Sequence, residues 1–132
     1  MDNIDFSRYN VLIVDDVPLN QILVQKMLSR FNFNVLTAGN GVEAMQEVVV
    51  RKPDLILLDI MMPVMDGFEV LSTLRANPKW ADVKVVVLSA LNSNEDIVKA
   101  YNLGANDFIS KPIVLSKLVH SVATHLGLPI NI

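Results

Sequence analysis

Residues 54–67 read DLILLDIMMPVMDG, and this stretch decides how the rest of the chain folds. Its four consecutive apolar residues, from Leu55 to Leu58, are typical of a short strand that is buried on both faces of a sheet. We predict a strand over residues 55–59, so the carboxylate of Asp59 stands where the apolar run ends and a turn containing proline and glycine begins. A carboxylate at the end of a buried strand is a candidate for chemistry.

Four other runs of apolar and β-branched residues predict the remaining strands. The predicted strands cover residues 10–14, 34–38, 55–59, 83–88 and 107–110. A segment with helical spacing follows each of them. Strands that alternate with helices in this way predict a doubly wound α/β domain with five parallel strands and five helices.

The predicted helices are marked by their termini and by one apolar face each. Pro18 is expected to begin the first helix, Asp66 to cap the third, and Ser93 to open the fourth through a capping box. We assign the run Val48 to Val50 to the second helix, because no turn signal separates it from the helical pattern before it. The residues expected on core-facing sides include Leu23, Val49 and Leu115.

Length and composition predict one globular domain in the cytoplasm. The chain has 132 residues, of which 52% are hydrophobic, and a mean hydropathy of +0.40. Charged or polar residues interrupt every apolar run before it reaches the length of a membrane-spanning helix. The acidic N-terminus lacks the basic and apolar regions of a signal peptide. We expect a leader over residues 1–9, the domain over residues 10–127 and a tail over residues 128–132.

Cysteine content and charge exclude several classes of function. The chain has no cysteine, so disulfide frameworks, thiolate metal sites and cysteine nucleophiles are excluded. Its formal net charge is −3, and its lysines and arginines form no cluster along the sequence. Direct binding to nucleic acid is therefore not expected, because that requires grouped cations, and no membrane contact is expected either.

A polar or charged residue ends or follows four of the five predicted strands. Asp15 and Asp16 follow the first, Asp59 ends the third, Ser89 follows the fourth and Lys111 follows the fifth. If the strands are ordered 2-1-3-4-5, three carboxylates crowd into one crevice, and a hard cation such as Mg²⁺ can relieve their repulsion. Lys111 would stand two strands from Asp59, roughly 10 Å away, a gap that only a long side chain spans. Ser89, one strand away, needs only a short hydroxyl.

These residues make the chain resemble the receiver domain of two-component response regulators over nearly its whole length. The resemblance is carried by the motifs Asp15-Asp16, Asp59 with Met62-Pro63 and Asp66-Gly67, Ser89-Ala90 and Lys111-Pro112. It implies the flavodoxin-like strand order 2-1-3-4-5.

The resemblance also implies a role for each residue of the site. Asp59 is expected to be the phosphoacceptor and Lys111 the phosphoryl-binding lysine, with a cis bond before Pro112. Ser89 and Phe108 are expected to act as the switch hydroxyl and the switch aromatic. The implied Mg²⁺ ligands are Asp16, Asp59, the Met61 backbone carbonyl and, through water, Asp15.

The function implied is a signalling switch that receives a phosphoryl group from a partner phosphohistidine. The partner would be a sensor histidine kinase or a phosphotransfer protein, and the responding surface would be the fourth helix, fifth strand and fifth helix. That surface would control an output domain or protein or form a homodimer. Such a domain assists its own phosphorylation and autodephosphorylation and is not expected to be a multiple-turnover enzyme.

Three alternatives stay open at this point. The chain is either a receiver that works alone or one cut from a larger response regulator or hybrid histidine kinase. An aspartyl-phosphate phosphatase is disfavoured because Met61 stands where that class expects a second aspartate. An FMN-binding module is disfavoured because Asp15 and Asp16 stand where hydroxyl and glycine donors to a phosphate are expected.

Overall fold

The apolar runs of the sequence form one parallel sheet in the computed structural model, which describes residues 5–129. The strands are β1 (Asn10–Val14), β2 (Asn34–Ala38), β3 (Leu55–Leu58), β4 (Lys84–Ser89) and β5 (Asp107–Ser110). Their order is β2-β1-β3-β4-β5, and all four neighbouring pairs are parallel. The predicted doubly wound fold and its strand order are confirmed.

Four α-helices connect successive strands, a fifth follows β5, and together they cover both faces of the sheet. They are α1 (Pro18–Leu28), α2 (Gly41–Arg51), α3 (Gly67–Ala76), α4 (Asn94–Asn102) and α5 (Leu115–Leu126). Short 3₁₀ turns follow α1 (Ser29–Phe31) and α3 (Pro78–Trp80). The valine run at residues 48–50 is helical, as predicted. No helix within residues 5–129 is both long enough and apolar enough to cross a bilayer.

Alternate residues of the central strands build two separate cores. On β3, Ile56 and Leu58 face the core covered by α2, α3 and α4, while Leu55 and Leu57 face the core covered by α1 and α5. All four side chains are fully buried. The continuous apolar run of β3 is thus explained by burial on both faces, since successive side chains point to opposite sides.

The structure corrects several local predictions. β3 ends at Leu58, so Asp59 lies just beyond the strand, and β4 runs from Lys84 to Ser89, one residue later than predicted. The side chains of Leu23, Val49 and Leu115, predicted to face the core, are exposed. Helical spacing groups these three residues with the core-facing residues of their helices. The side of each helix that is buried in the core is narrower than its apolar face, so they remain exposed.

One further correction concerns the start of α4. Ser93 accepts a hydrogen bond from the Asp96 N–H, but its hydroxyl donates to the Asp96 carboxylate, so the reciprocal contact of a capping box is not made.

Part of the predicted leader packs on the domain. The Phe6 N–H donates to the Phe31 carbonyl, and the Phe6 ring stacks on the Phe33 ring. Leader residues 1–4 and tail residues 130–132 lie outside the described residues.

Candidate functional site

The ends of β1 and β3 hold two carboxylates in a crevice of the sheet. The Asp15 N–H donates to the Ala38 carbonyl at 3.1 Å, and the Asp59 N–H donates to the Val14 carbonyl at 3.0 Å. The backbone pairing of the sheet therefore continues one residue past each strand and fixes where both side chains start. The residues are only 5% and 8% exposed, so their charges are poorly solvated.

Lys111 supplies the cation that these carboxylates share. Its Nζ lies 3.0 Å from Asp15 Oδ2 and 3.5 Å from Asp59 Oδ2. The backbone N–H of Lys111 donates to the Ser89 carbonyl at 2.9 Å, so the β4–β5 pairing fixes where the lysine side chain starts. The lysine stem then spans the distance to the ends of β3 and β1, and its shorter contact is with Asp15. The Lys111–Pro112 peptide bond is cis.

Asp16 completes an oxygen-rich group with Asp15 and Asp59. One carboxylate oxygen from each residue lies within 4.8 Å of the others, and Asp16 is exposed while the other two are buried. Hard divalent cations such as Mg²⁺ prefer carboxylate oxygens together with retained water. The three carboxylates, with Asp16 open to solvent, are therefore chemically suited to binding Mg²⁺.

The electrostatics of Asp59 combine opposing effects. Burial raises its pKa above the ordinary value for an aspartate, the Lys111 ammonium lowers it, and the Asp15 carboxylate raises it again. The Met61 N–H also donates to Asp59 Oδ1 at 3.2 Å, which favours the charged form. Burial is the largest of these effects and disfavours the ionised carboxylate, so a positive charge placed close to Asp59 would stabilise that ionised form.

Ser89 and Phe108 lie on the neighbouring strands of the same half of the sheet. Ser89 is completely buried, and its Oγ accepts a hydrogen bond from the Leu91 N–H at 3.0 Å. Phe108 is half-buried and packs against the core beneath α2, α3 and α4. The hydroxyl of Ser89 thus holds the start of the β4–α4 connection in this arrangement.

Gly67 controls how closely α3 approaches Asp59, a role that the sequence motif alone did not explain. A Cβ on Gly67 would lie 2.5 Å from the Asp59 carbonyl oxygen. The Gly67 N–H donates to the Ile60 carbonyl at 2.9 Å, and Asp66 caps α3 in a full capping box with Glu69. Glycine therefore lets the start of α3 pack directly on the backbone that carries Asp59.

Sequence reasoning also missed the contacts that Val17 and the start of α1 make with Asp15. The Val17 N–H donates to Asp15 Oδ1 at 2.9 Å, and the Asn20 amide lies 3.4 Å from the same oxygen. Gln21, one residue further on, donates to the backbone of the site. Polar residues in the first turns of a helix that follows two aspartates are the only signal for these contacts in the sequence.

A cavity of about 290 Å³ lies beside the carboxylates, between α1 and the segment that follows β5. Its walls are mostly apolar and include Val24, Met27 and Ile113, while Asp15 and Lys111 line its polar end. The site is thus bordered by solvent on the Asp16 side and by an apolar recess on the α1 side.

Comparison with known proteins decides the family of this chain. The model of the response regulator receiver domain family matches residues 11–123. The chain belongs to this receiver family. The predicted resemblance is confirmed, and it favours a signalling domain over the phosphatase and FMN-binding alternatives.

Individual relatives of the receiver agree with this assignment. The transcriptional regulatory protein PrrA of Mycobacterium tuberculosis is 43% identical over 112 residues, which are 85% of this chain and 47% of PrrA. The receiver domain of a signal transduction histidine kinase from Syntrophus aciditrophicus has a TM-score of 0.84 and 29% identity, covering 94% of this chain and 98% of that one.

A chemotaxis protein, CheY4 of Vibrio cholerae, has a TM-score of 0.81 and 28% identity to the receiver, covering 88% of this chain and 97% of that one. The chain spans about half the length, or less, of the curated relatives it matches. These relatives therefore contain further segments that this sequence does not match.

Proposed function

We propose that this receiver is a phosphorylation-operated signalling switch in which Asp59 accepts a phosphoryl group from a phosphohistidine of a partner protein. The observation that carries the proposal is the grouping at the end of β3: a nearly buried Asp59, two more carboxylates within 4.8 Å and the Lys111 ammonium. Positioning and charge stabilisation are what phosphoryl transfer requires from a protein.

In the proposed transfer, an Asp59 carboxylate oxygen attacks phosphorus while the bond from phosphorus to the histidine nitrogen breaks. The electron pair of that bond leaves with the imidazole. A Mg²⁺ ion held by Asp16, Asp59 and the Met61 carbonyl, with Asp15 acting through water, would neutralise charge on the phosphoryl oxygens. The role of each ligand is a prediction, supported by the chemistry of the three carboxylates.

In this proposal the Lys111 ammonium changes its partner from a carboxylate to a phosphoryl oxygen. At rest its ammonium contacts Asp15 and Asp59. After transfer Asp59 is an acyl phosphate and has lost its carboxylate charge, so the ammonium pairs with a phosphoryl oxygen instead. Hydrolysis by water later restores the carboxylate, and the receiver assists both reactions without acting as an enzyme on other substrates.

The proposed output begins at Ser89. When its hydroxyl turns to a phosphoryl oxygen, the Leu91 N–H loses the acceptor it has now, and the β4–α4 connection can adopt another arrangement. Phe108 would move inward as Ser89 moves. The surface expected to respond is α4, β5 and α5, through which the receiver would contact an output domain, a protein or a second copy of itself.

A phosphodonor partner has an apolar surface to dock against beside the site. The side chains of Leu19, Ile22 and Leu23 on α1 and of Leu115 on α5 are about half or more exposed. Leu23 lines the cavity that ends at Asp15 and Lys111, so a partner seated on this surface would hold its phosphohistidine near Asp59. The partner would be a sensor histidine kinase or a phosphotransfer protein.

Labelling with a small phosphodonor such as phosphoramidate tests the core of the proposal. We expect the wild type to gain the mass of one phosphoryl group only when Mg²⁺ is present, and Asp59→Asn to gain none. Asp82→Asn is the matched control, because Asp82 is exposed and lies outside the site. Undiminished, Mg²⁺-dependent labelling of Asp59→Asn would show that another residue is the acceptor.

The wider architecture is a separate proposal. Relatives include a transcriptional regulatory protein and the receiver domain of a histidine kinase, so this receiver would control either an output domain or a partner protein. Reading the gene beyond the codon for Ile132 distinguishes a free-standing receiver from part of a larger regulator or hybrid kinase. The expected cytoplasmic location stays a prediction, which cell fractionation tests.

A further inference from the structure

The side-chain amide of Gln21 joins the ends of two strands at the site. Gln21 lies in the second turn of α1 and is half-buried. Its Nε2 donates to the Asp15 carbonyl at 2.8 Å and to the Ala38 carbonyl at 3.2 Å. Both hydrogens of one amide group are thereby directed at backbone oxygens where β1 and β2 end.

The Asp15 carbonyl belongs to the peptide unit that connects Asp15 to Asp16. A peptide unit is planar, so a hydrogen bond to its oxygen sets the orientation of the whole plane. That plane determines the direction in which the chain, and with it the Asp16 side chain, leaves β1. Gln21 therefore acts on Asp16 without touching its carboxylate.

The two aspartates differ in how their carboxylates are held. Asp15 is buried and accepts hydrogen bonds from Val17 and Lys111. Asp16 is exposed, yet one of its carboxylate oxygens lies within 4.8 Å of oxygens of Asp15 and Asp59. An exposed ligand with a free rotamer binds a cation well only when the backbone beneath it is fixed.

We infer that Gln21 is a positioning residue for the divalent-cation site, because it orients the Asp15–Asp16 peptide from α1. The inference rests on the proposed function, since it concerns the Mg²⁺ that the proposed transfer requires. Groups that orient metal ligands through hydrogen bonds typically change metal affinity 10- to 100-fold when they are removed. A purely structural bridge would change stability and leave cation affinity alone.

The test compares Gln21→Met with Gln25→Met. Methionine keeps the length and approximate volume of glutamine but has no donor, and Gln25 is another half-buried glutamine of α1, one turn further on. Mg²⁺ affinity is measured by following backbone amide shifts of residues 15–17 and 59–61 during a titration. Urea unfolding in the presence of EDTA gives the metal-free stability of each variant.

We expect Gln21→Met to bind Mg²⁺ about 10- to 100-fold more weakly than the wild type and Gln25→Met to stay within about twofold. An affinity for Gln21→Met equal to that of the wild type overturns the inference, whatever happens to its stability. A wild type that shows no Mg²⁺-dependent shifts contradicts the proposed metal site itself, which separates the two failures.

Gln21→Glu is a second test of the inference if Gln21→Met does not fold. It keeps the shape of the side chain but directs carboxylate oxygens at the Asp15 and Ala38 carbonyls. Its extra negative charge alone would tighten Mg²⁺ binding, whereas loss of the two hydrogen bonds would weaken it. Binding by Gln21→Glu that is weaker than binding by Gln25→Glu, which adds the same charge one turn further along α1, supports the positioning role, and equal or tighter binding overturns it.

Discussion

The ionised carboxylate of Asp59 destabilises the fold that carries it. Its carboxylate is nearly buried and faces the Asp15 carboxylate, and the Lys111 ammonium compensates only in part. Burial, the largest effect, raises its pKa. Because the folded state holds this proton more tightly than the unfolded chain does, ionising Asp59 reduces the free energy of unfolding.

Asp59→Asn is therefore expected to raise the free energy of unfolding at pH 7 in metal-free buffer. The stability that protonated Asp59 contributes is present at acid pH and is lost as pH rises through its raised folded-state pKa. The gain from the variant should thus be largest at neutral pH and shrink toward the ordinary titration range of aspartate. Urea unfolding over a pH series with EDTA measures it.

Asp82→Asn is the control for this experiment, because the shift there has the opposite sign. The hydrogen bond from Lys52 lowers the pKa of the exposed Asp82, so its removal should bring no gain at pH 7. If Asp59→Asn is no more stable than the wild type at neutral pH, burial of Asp59 does not dominate its electrostatics.

At the scale of elements, one carboxylate links three parts of the surface expected to respond. Asp107 on β5 accepts a hydrogen bond from Ser121 of α5 at 2.6 Å and from the Tyr101 hydroxyl of α4 at 3.3 Å. It also accepts from the N–H of Phe108. Burial and then Asp107 raise the pKa of Tyr101, so the hydroxyl stays a donor. The bridge couples α4 and α5 through the strand between them.

Ser121→Ala is expected to reduce the free energy of unfolding by about 1–2 kcal/mol, because Asp107 loses its shortest hydrogen bond and Ser121 is buried. Ser116→Ala, at an exposed position of the same helix, should change it by less than about 0.5 kcal/mol. Chemical denaturation of both variants at pH 7 gives the comparison. Equal effects would mean that the bridge contributes nothing to stability.

Element prediction from sequence succeeded where the pattern is local and failed where packing decides. The valine run at residues 48–50 forms part of α2, because a continuous helical pattern outweighs the strand preference of valine. Leu23 and Leu115 satisfied the same helical spacing but are exposed. Which apolar residue of a broad stripe is covered depends on neighbouring elements that the spacing does not describe.

For the whole molecule, the balance of charge at the sheet edge predicts a gain in stability from Mg²⁺. Three carboxylates share one ammonium there, so a bound divalent cation favours the folded state. We expect Mg²⁺ at a hundredfold excess over its Kd to raise the free energy of unfolding by about 2.7 kcal/mol, and EDTA to reverse the gain.

Thermal unfolding at matched ionic strength measures this effect. Asp16→Asn is the informative variant, since the exposed Asp16 contributes to the oxygen cluster without packing in the core. Its metal-free stability should stay close to that of the wild type while most of the Mg²⁺ gain disappears. An equal gain from NaCl would attribute the effect to screening and remove the support for a specific site.

The sequence by itself determined the five strands, the five helices and the identity of the residues that stand at the strand ends. These follow from local periodicity and from where each apolar run stops, so Asp15, Asp59, Ser89 and Lys111 could be identified before the fold was known. The strand order came from resemblance to a family, and the structure confirms it.

Only the tertiary structure decided how those residues meet. Lys111 lies closer to Asp15 than to Asp59, Gln21 reaches across two strand ends, and Asp107 bridges two helices. Each of these contacts joins side chains whose spacing depends on sheet twist, helix placement and rotamer. Those quantities are set by packing between segments distant in sequence, and no local pattern encodes them.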